Sequence, residues 1–240
     1  MVIYVVKPGD TITSIAQAYN VTAEQLITDN ELTDPTNLVV GQTIVILNTA
    51  EGIPADSFGE MSINGYAYPF IDREVLTKTL PYLTYLTLFT YGFTEQGELI
   101  PIEDQEIINL ARQNGVAPIM LISTLTEEGI FNNQLANTLL NNEQIQDTLI
   151  NNILANMKAK NYYGLDIDFE YILPGDREAF AAFVTKVRER LNAEGYIVIT
   201  ALAPKTSGAQ PGLLYESHDY PAIGEATNYA LLMTYEWGYT

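Results

Sequence analysis

Tyr163-Gly164-Leu165-Asp166-Ile167-Asp168-Phe169-Glu170 is the stretch on which the fold of this chain turns. Three carboxylates alternate here with three large apolar residues. Alternation with a period of two predicts a strand with unlike faces. Asp166, Asp168 and Glu170 share one face, and Leu165, Ile167 and Phe169 share the other. Acids stacked in this way must border water or a polar site, because an unpaired buried carboxylate is costly. An edge strand with a solvated acidic face meets that condition, and so does a strand that opens into a reaction site. The aliphatic residues give way to Glu170-Tyr171 where the strand should end. Barrel and open α/β folds keep their chemistry at such ends.

Outward from this strand, apolar runs and helical periodicities alternate from residue 61 onward, which predicts parallel βα units. Strands are expected at 63–68, 83–89, 117–122, 197–203 and 229–235, with the acidic strand fourth in order. Tyr91-Gly92-Phe93 reads as the exit loop of the second strand. Helices are expected at 72–80 with Asp72 as cap, and at 103–113, stopped by Asn114-Gly115. The Asn-rich stretch 131–161 keeps Leu135, Leu139, Ile145, Leu149, Ile153, Leu154 and Met157 at helical spacing, so it reads as helix rather than disorder. A further helix, capped by Asp176 and ended by Gly195, puts Phe180, Phe183, Val184, Val187 and Leu191 on one face. The fold class is therefore α/β. Six such units match a (β/α)₈ barrel, which needs about 250 residues. Residues 61–240 fall short of that, so the expectation is a barrel truncated after its sixth strand, with two open edges.

The acidic strand resembles the DGxDxDxE signature of family 18 glycoside hydrolases. Seven of its eight positions agree, counting the free ones, and Tyr163 stands where the family most often has the first Asp. Family 18 hydrolysis is substrate-assisted. The resemblance implies that Glu170 protonates the leaving oxygen and that Asp168 orients the 2-acetamido group. It places Asp166 deeper, where like charge raises the proton affinity of Asp168. Met233-Thr234-Tyr235-Glu236-Trp237 resembles the family's MxYD segment, with Glu236 in the Asp position. There the Tyr235 hydroxyl would donate to the acetamido oxygen, with Met233 and Glu236 beside the sugar. Trp237 either stacks on a sugar face or is a structural or surface residue. Tyr66, Tyr68, Phe89 and Tyr91 fall at the ends of the first two strands. Most are expected in the core, with one or two, Tyr66 among them, facing the groove. The family's third-strand SxGG is not evident in Ile122-Ser123-Thr124-Leu125.

Residues 1–48 form a separate β-α-α-β pattern. Pro8-Gly9-Asp10-Thr11 is turn chemistry, with Asp10 or Thr11 placed to cap a first helix carrying Ile12, Ile15, Ala16 and Tyr19. Thr22 and Gln25 are spaced as a capping box for a second helix. Val5 to Thr11, Ile15-Ala16, Asn30, Leu38, Gly41-Gln42 and Ile44 to Ile46 together resemble a LysM module. That resemblance implies a groove for N-acetylglucosamine glycans between Gly9, Asp10, Thr11 and Ile12 on one side and Asn37, Leu38 and Val39 on the other. A small structural cap is the alternative. Residues 49–60 lose periodicity and read as a linker.

Composition narrows the partners. The net charge is −19, and no Lys/Arg cluster exists to bind phosphates, which argues against nucleic acid. The chain has no cysteine and one histidine, His218, so thiolate and His-rich metal sites are excluded and no cofactor is expected; His218 is given no role. No apolar run approaches a membrane span, and the N-terminus lacks a signal-peptide pattern. Taken together, the chain looks like the cortex-lytic N-acetylglucosaminidases of spore-forming Firmicutes: a monomer acting on peptidoglycan in the spore coat, cortex or cell wall. A chitinase and a non-catalytic glycan-binding coat protein are the alternatives.

Overall fold

The computed structural model describes residues 2–47, 61–126 and 130–236, with the side chain of residue 236 left aside. The expected linker and Trp237 lie outside the described residues. The chain divides into two compact units, 1–61 and 62–240.

In the first unit, β1 (Val2–Val5) pairs antiparallel with β2 (Thr43–Ile46), and α1 (Ile12–Ala18) and α2 (Ala23–Asp29) lie between them in sequence. Thr11, not Asp10, caps α1, in a reciprocal box with Ser14. Asp10 instead accepts the Tyr4 hydroxyl at 2.6 Å and the Lys7 amide at 2.7 Å, which ties down the turn. Thr22 caps α2 by accepting the Gln25 amide, but the Gln25 side chain turns away to the Leu47 carbonyl. The expected capping box at α2 is thus only half made. Asn30 staples α2 to β2 through both Val45 backbone groups. Ile15, Ala16, Leu26, Ile44 and Ile46 fill a small core, and Ile12 joins them.

The second unit is built on six parallel strands: β3 (Asn64–Ala67), β4 (Tyr85–Phe93), β6 (Ala117–Ser123), β7 (Gly164–Asp168), β8 (Ile197–Leu202) and β9 (Tyr229–Leu232). They are hydrogen-bonded in that order, a partial (β/α)₈ barrel. The short β5 (Leu99–Ile100) turns back antiparallel on the end of β4. Connecting the strands are α3 (Arg73–Thr79), α4 (Gln105–Gln113), α5 (Asn133–Leu140), α6 (Glu143–Lys160), α7 (Arg177–Asn192) and α8 (Tyr220–Ala226). Leu165 and Ile167 bury among Met120, Ile122, Ile153 and Val187, between sheet and helices, while the acids take the other face of β7. Gly164 is required by crowding: a Cβ there would come within 2.5 Å of an Ile197 side-chain atom and 2.9 Å of its carbonyl.

Four local expectations are corrected. Tyr91-Gly92-Phe93 continue β4 instead of leaving it, because Gly92 and Phe93 find partners in β5. The Asn-rich stretch forms two helices, since Asn142 caps α6 by accepting the Gln144 and Ile145 amides. Asp176 sits at the N-cap of α7 without capping it; its carboxylate accepts instead from Asn137 and Asn141 of α5. The last strand stops at Leu232, and Tyr235 falls in a 3₁₀ turn, Thr234–Glu236.

Candidate active site

Strand register brings the acids to one place. Asp166 lies beside Leu121 of β6 and Ile199 of β8, and Tyr66 lies beside Thr87 of β4, so all of these face the same side of the sheet. Curvature of the sheet lets the Tyr66 hydroxyl cross from the first strand and donate to Asp166 Oδ2 at 2.6 Å. Asp166 is fully buried, and its Oδ1 has no hydrogen-bond partner among the described residues. Burial pushes its carboxyl up to about 6, and the Tyr66 hydroxyl holds it from going higher. Burial, together with the neighbouring Asp166 carboxylate, drives the Tyr66 phenol far above its ordinary value.

Asp168 ends β7, and Glu170 follows two residues later; both are at least nine-tenths buried. Asp168 joins Tyr66, Tyr68, Phe89, Ala201, Met233 and Tyr235 around a cavity of about 200 Å³. That is below the roughly 300–1,000 Å³ of a typical small-molecule pocket, so it suits one group of a larger ligand better than a whole oligosaccharide. Its walls are aromatic and its base is acidic, a composition that suits a sugar with one polar substituent. Met233 is buried, while Tyr235 is 75% exposed at the rim. Three of the four strand-end aromatics therefore face the cavity, more than expected; only Tyr91 is core, with its hydroxyl donating to Asp104. Among the described residues, no group of three or more His, Cys, Asp or Glu side chains is placed to hold a metal ion.

Phe169, between the two exit acids, is fixed from both ends. Its ring stacks on Phe93, Phe180 and Phe183 at 5.6–6.0 Å, and its carbonyl meets His218 Nε2 at 3.1 Å. The sequence pattern points to no role for His218. Nothing local marks it: it is simply the residue before Asp219, the N-cap of α8. Burial lowers its imidazole to about 4.

In the first unit the proposed groove residues divide. Ile12 is buried in the core, and Leu38 is partly buried against it. Asp10 and Thr11 spend their side chains on the turn and the cap. Gly9, at φ +90°, holds the turn open, with no atom within 4 Å of where a Cβ would lie. Asn37 and Val39 are exposed.

Comparison with known proteins agrees with both units. The LysM domain family matches residues 4–47, and the family of glycosyl hydrolases family 18 matches residues 68–239. The chain belongs to glycosyl hydrolase family 18. The cortical fragment-lytic enzyme of Bacillus subtilis is 33% identical, over 100% of this chain and 67% of that protein. A putative sporulation-specific glycosylase of the same organism is 32% identical, over 98% of this chain and 54% of its own length. The crystal structure of the spore cortex-lytic enzyme SleL of Bacillus megaterium superposes with a TM-score of 0.70 at 32% identity, over 97% of this chain and 54% of that one. The chain thus spans between about half and two thirds of the length of these relatives. No helix among the described residues is long and apolar enough to cross a membrane.

Proposed function

We propose that this family 18 chain is the LysM-bearing part of a β-N-acetylglucosaminidase that cleaves the glycan strands of peptidoglycan, in the spore cortex or cell wall. The observation that carries this is the carboxylate series at the end of β7: fully buried Asp166 under the Tyr66 hydroxyl, Asp168 at the cavity, and Glu170 at the exit. The family membership and the cortex-lytic relatives support the choice of substrate.

The proposed steps are those of the substrate-assisted hydrolysis of family 18, assigned to these groups. The sugar's own acetamido oxygen attacks the anomeric carbon as Glu170 gives its proton to the leaving oxygen. Asp168 accepts a hydrogen bond from the acetamido N–H and steadies the positive charge of the ring that forms. Asp166, whose carboxyl burial pushes up to about 6, takes up a proton in mildly acid solution and so limits the negative charge on the stack. A proton on Asp166 also relieves its orphaned oxygen. Tyr235 donates to the acetamido oxygen from the rim. Water then attacks the anomeric carbon and gives its proton to Glu170 as the bond to the acetamido oxygen breaks, which restores both the acetamido group and the original anomeric configuration. The LysM module holds the enzyme on the insoluble polymer by raising local concentration.

Product analysis tests this scheme. Purified peptidoglycan strands incubated with the protein should yield new reducing ends that are N-acetylglucosamine, first appearing as the β anomer by NMR. New muramic acid ends, or an initial α anomer, would exclude it.

A further inference from the structure

We propose that His218 is a positioning residue for the acid-bearing strand end, acting through the Phe169 carbonyl. This rests on the reading of Glu170 as the proton donor. His218 belongs to a polar strap, Glu216–Tyr220, that binds the segments leaving two neighbouring strands. Its Nδ1 accepts the Ala203 amide at 2.8 Å just past β8, and its Nε2 lies 3.1 Å from the Phe169 carbonyl just past β7. An amide can only donate and a carbonyl can only accept. The two partners therefore fix one neutral tautomer, with the proton on Nε2.

The rest of the strap holds the same two segments. The Ser217 hydroxyl reaches the Ile172 and Leu173 carbonyls at 3.0 and 2.9 Å. The Tyr220 hydroxyl donates to the Ala203 carbonyl at 2.6 Å and accepts the Lys205 amide at 3.0 Å. Arg177 ties the strap to the start of α7 through the Glu216 carbonyl and the Asp219 carboxylate. The loop so held includes Tyr171 at φ +55°, a left-handed conformation that a tyrosine does not adopt without support. Glu170 sits between this strained residue and the Phe169 carbonyl. Its backbone direction is set by the imidazole on one side and the strap on the other. Without the Nε2–H bond, Phe169 keeps its ring anchor and loses its carbonyl anchor, so the peptide that carries Glu170 loses one of its restraints.

Two near-isosteres separate the halves of this contact. A glutamine amide reaches the Nε2 position and can still donate to Phe169. An asparagine oxygen reaches the Nδ1 position, still accepts from Ala203, and leaves Phe169 unheld. On soluble peptidoglycan glycan fragments, His218→Gln should keep kcat within about threefold. His218→Asn should lose about 10–100-fold in kcat with KM unchanged, the scale of a small misplacement of a catalytic group. Equal kcat in the two variants would overturn the proposal. Two readouts need no turnover. In the unsubstituted protein, ¹⁵N-histidine NMR has a single residue to report, and it should show the Nε2–H neutral form at neutral pH; the Nδ1–H form or an imidazolium overturns the assignment. The amide signals of Phe169–Tyr171 should broaden in His218→Asn and stay sharp in His218→Gln, whereas identical spectra would count against positioning. If the unsubstituted protein releases no reducing ends, the reading of Glu170 fails, while these spectra still decide the role of His218.

Discussion

Removing one hydroxyl from the cavity should change stability in a pH-dependent way. Tyr66→Phe keeps the ring at the cavity wall and deletes the donor that reaches Asp166 at 2.6 Å. Hydrogen bonds to charged groups contribute about 1.5–3 kcal/mol, and those between neutral groups about 0.5–1.5. The ionised form of Asp166 therefore loses more than the protonated form. At about 1.4 kcal/mol per pKa unit, the difference moves Asp166 up by roughly one unit from its value of about 6. The sign follows from linkage. The folded value lies above the unfolded one of 3.8, so the folded protein takes up this proton first and gains stability as pH falls from about 6 toward 3.8. In the variant that gain begins about one unit higher. The deficit of Tyr66→Phe should thus be about 2 kcal/mol at pH 8 and shrink to about 1 kcal/mol at pH 5. Urea unfolding at four pH values between 5 and 8 measures it. A deficit that is flat with pH, or larger at pH 5, would show that the hydroxyl does not bear on the charge of Asp166.

Two further outcomes follow from the same geometry. Leu165→Ala, on the helix-facing side of β7, should cost about 2–5 kcal/mol of stability while leaving kcat per folded molecule near that of the parent, as paired melts and active-site-normalised rates would reveal. Residues 1–48 expressed alone should fold around the Ile15, Leu26, Ile44 and Ile46 core and sediment with insoluble peptidoglycan; a fragment left wholly in the supernatant refutes glycan binding by this module.

The alternation in Leu165 to Glu170 was enough to define β7 and its two faces, while its place in a parallel sheet came from the strand and helix patterns on either side, because alternation alone also fits an edge strand with a solvated acidic face. Tyr66 was also legible as a cavity residue, although its partner was not, since a contact between residues so far apart in sequence depends on sheet curvature. Asp176 misled because its position matches a cap, while Asn137 and Asn141 compete for the same carboxylate in space. Ile12 misled in the opposite way, since a residue next to an exposed turn can still point into the core. His218 was illegible: its importance comes from two backbone groups of distant strands, and backbone groups carry no sequence signal.

In the proposed mechanism Glu170 gives and takes the proton. Glu170→Gln keeps the shape of the side chain and has no acid proton to give. Measured as release of reducing ends from peptidoglycan at equal amounts of folded protein, the variant should fall by about 10²–10⁴-fold, the usual worth of general acid–base assistance. Its melting transition and its sedimentation with the polymer should match the parent. A Glu170→Gln protein that retains near-full activity would contradict the account.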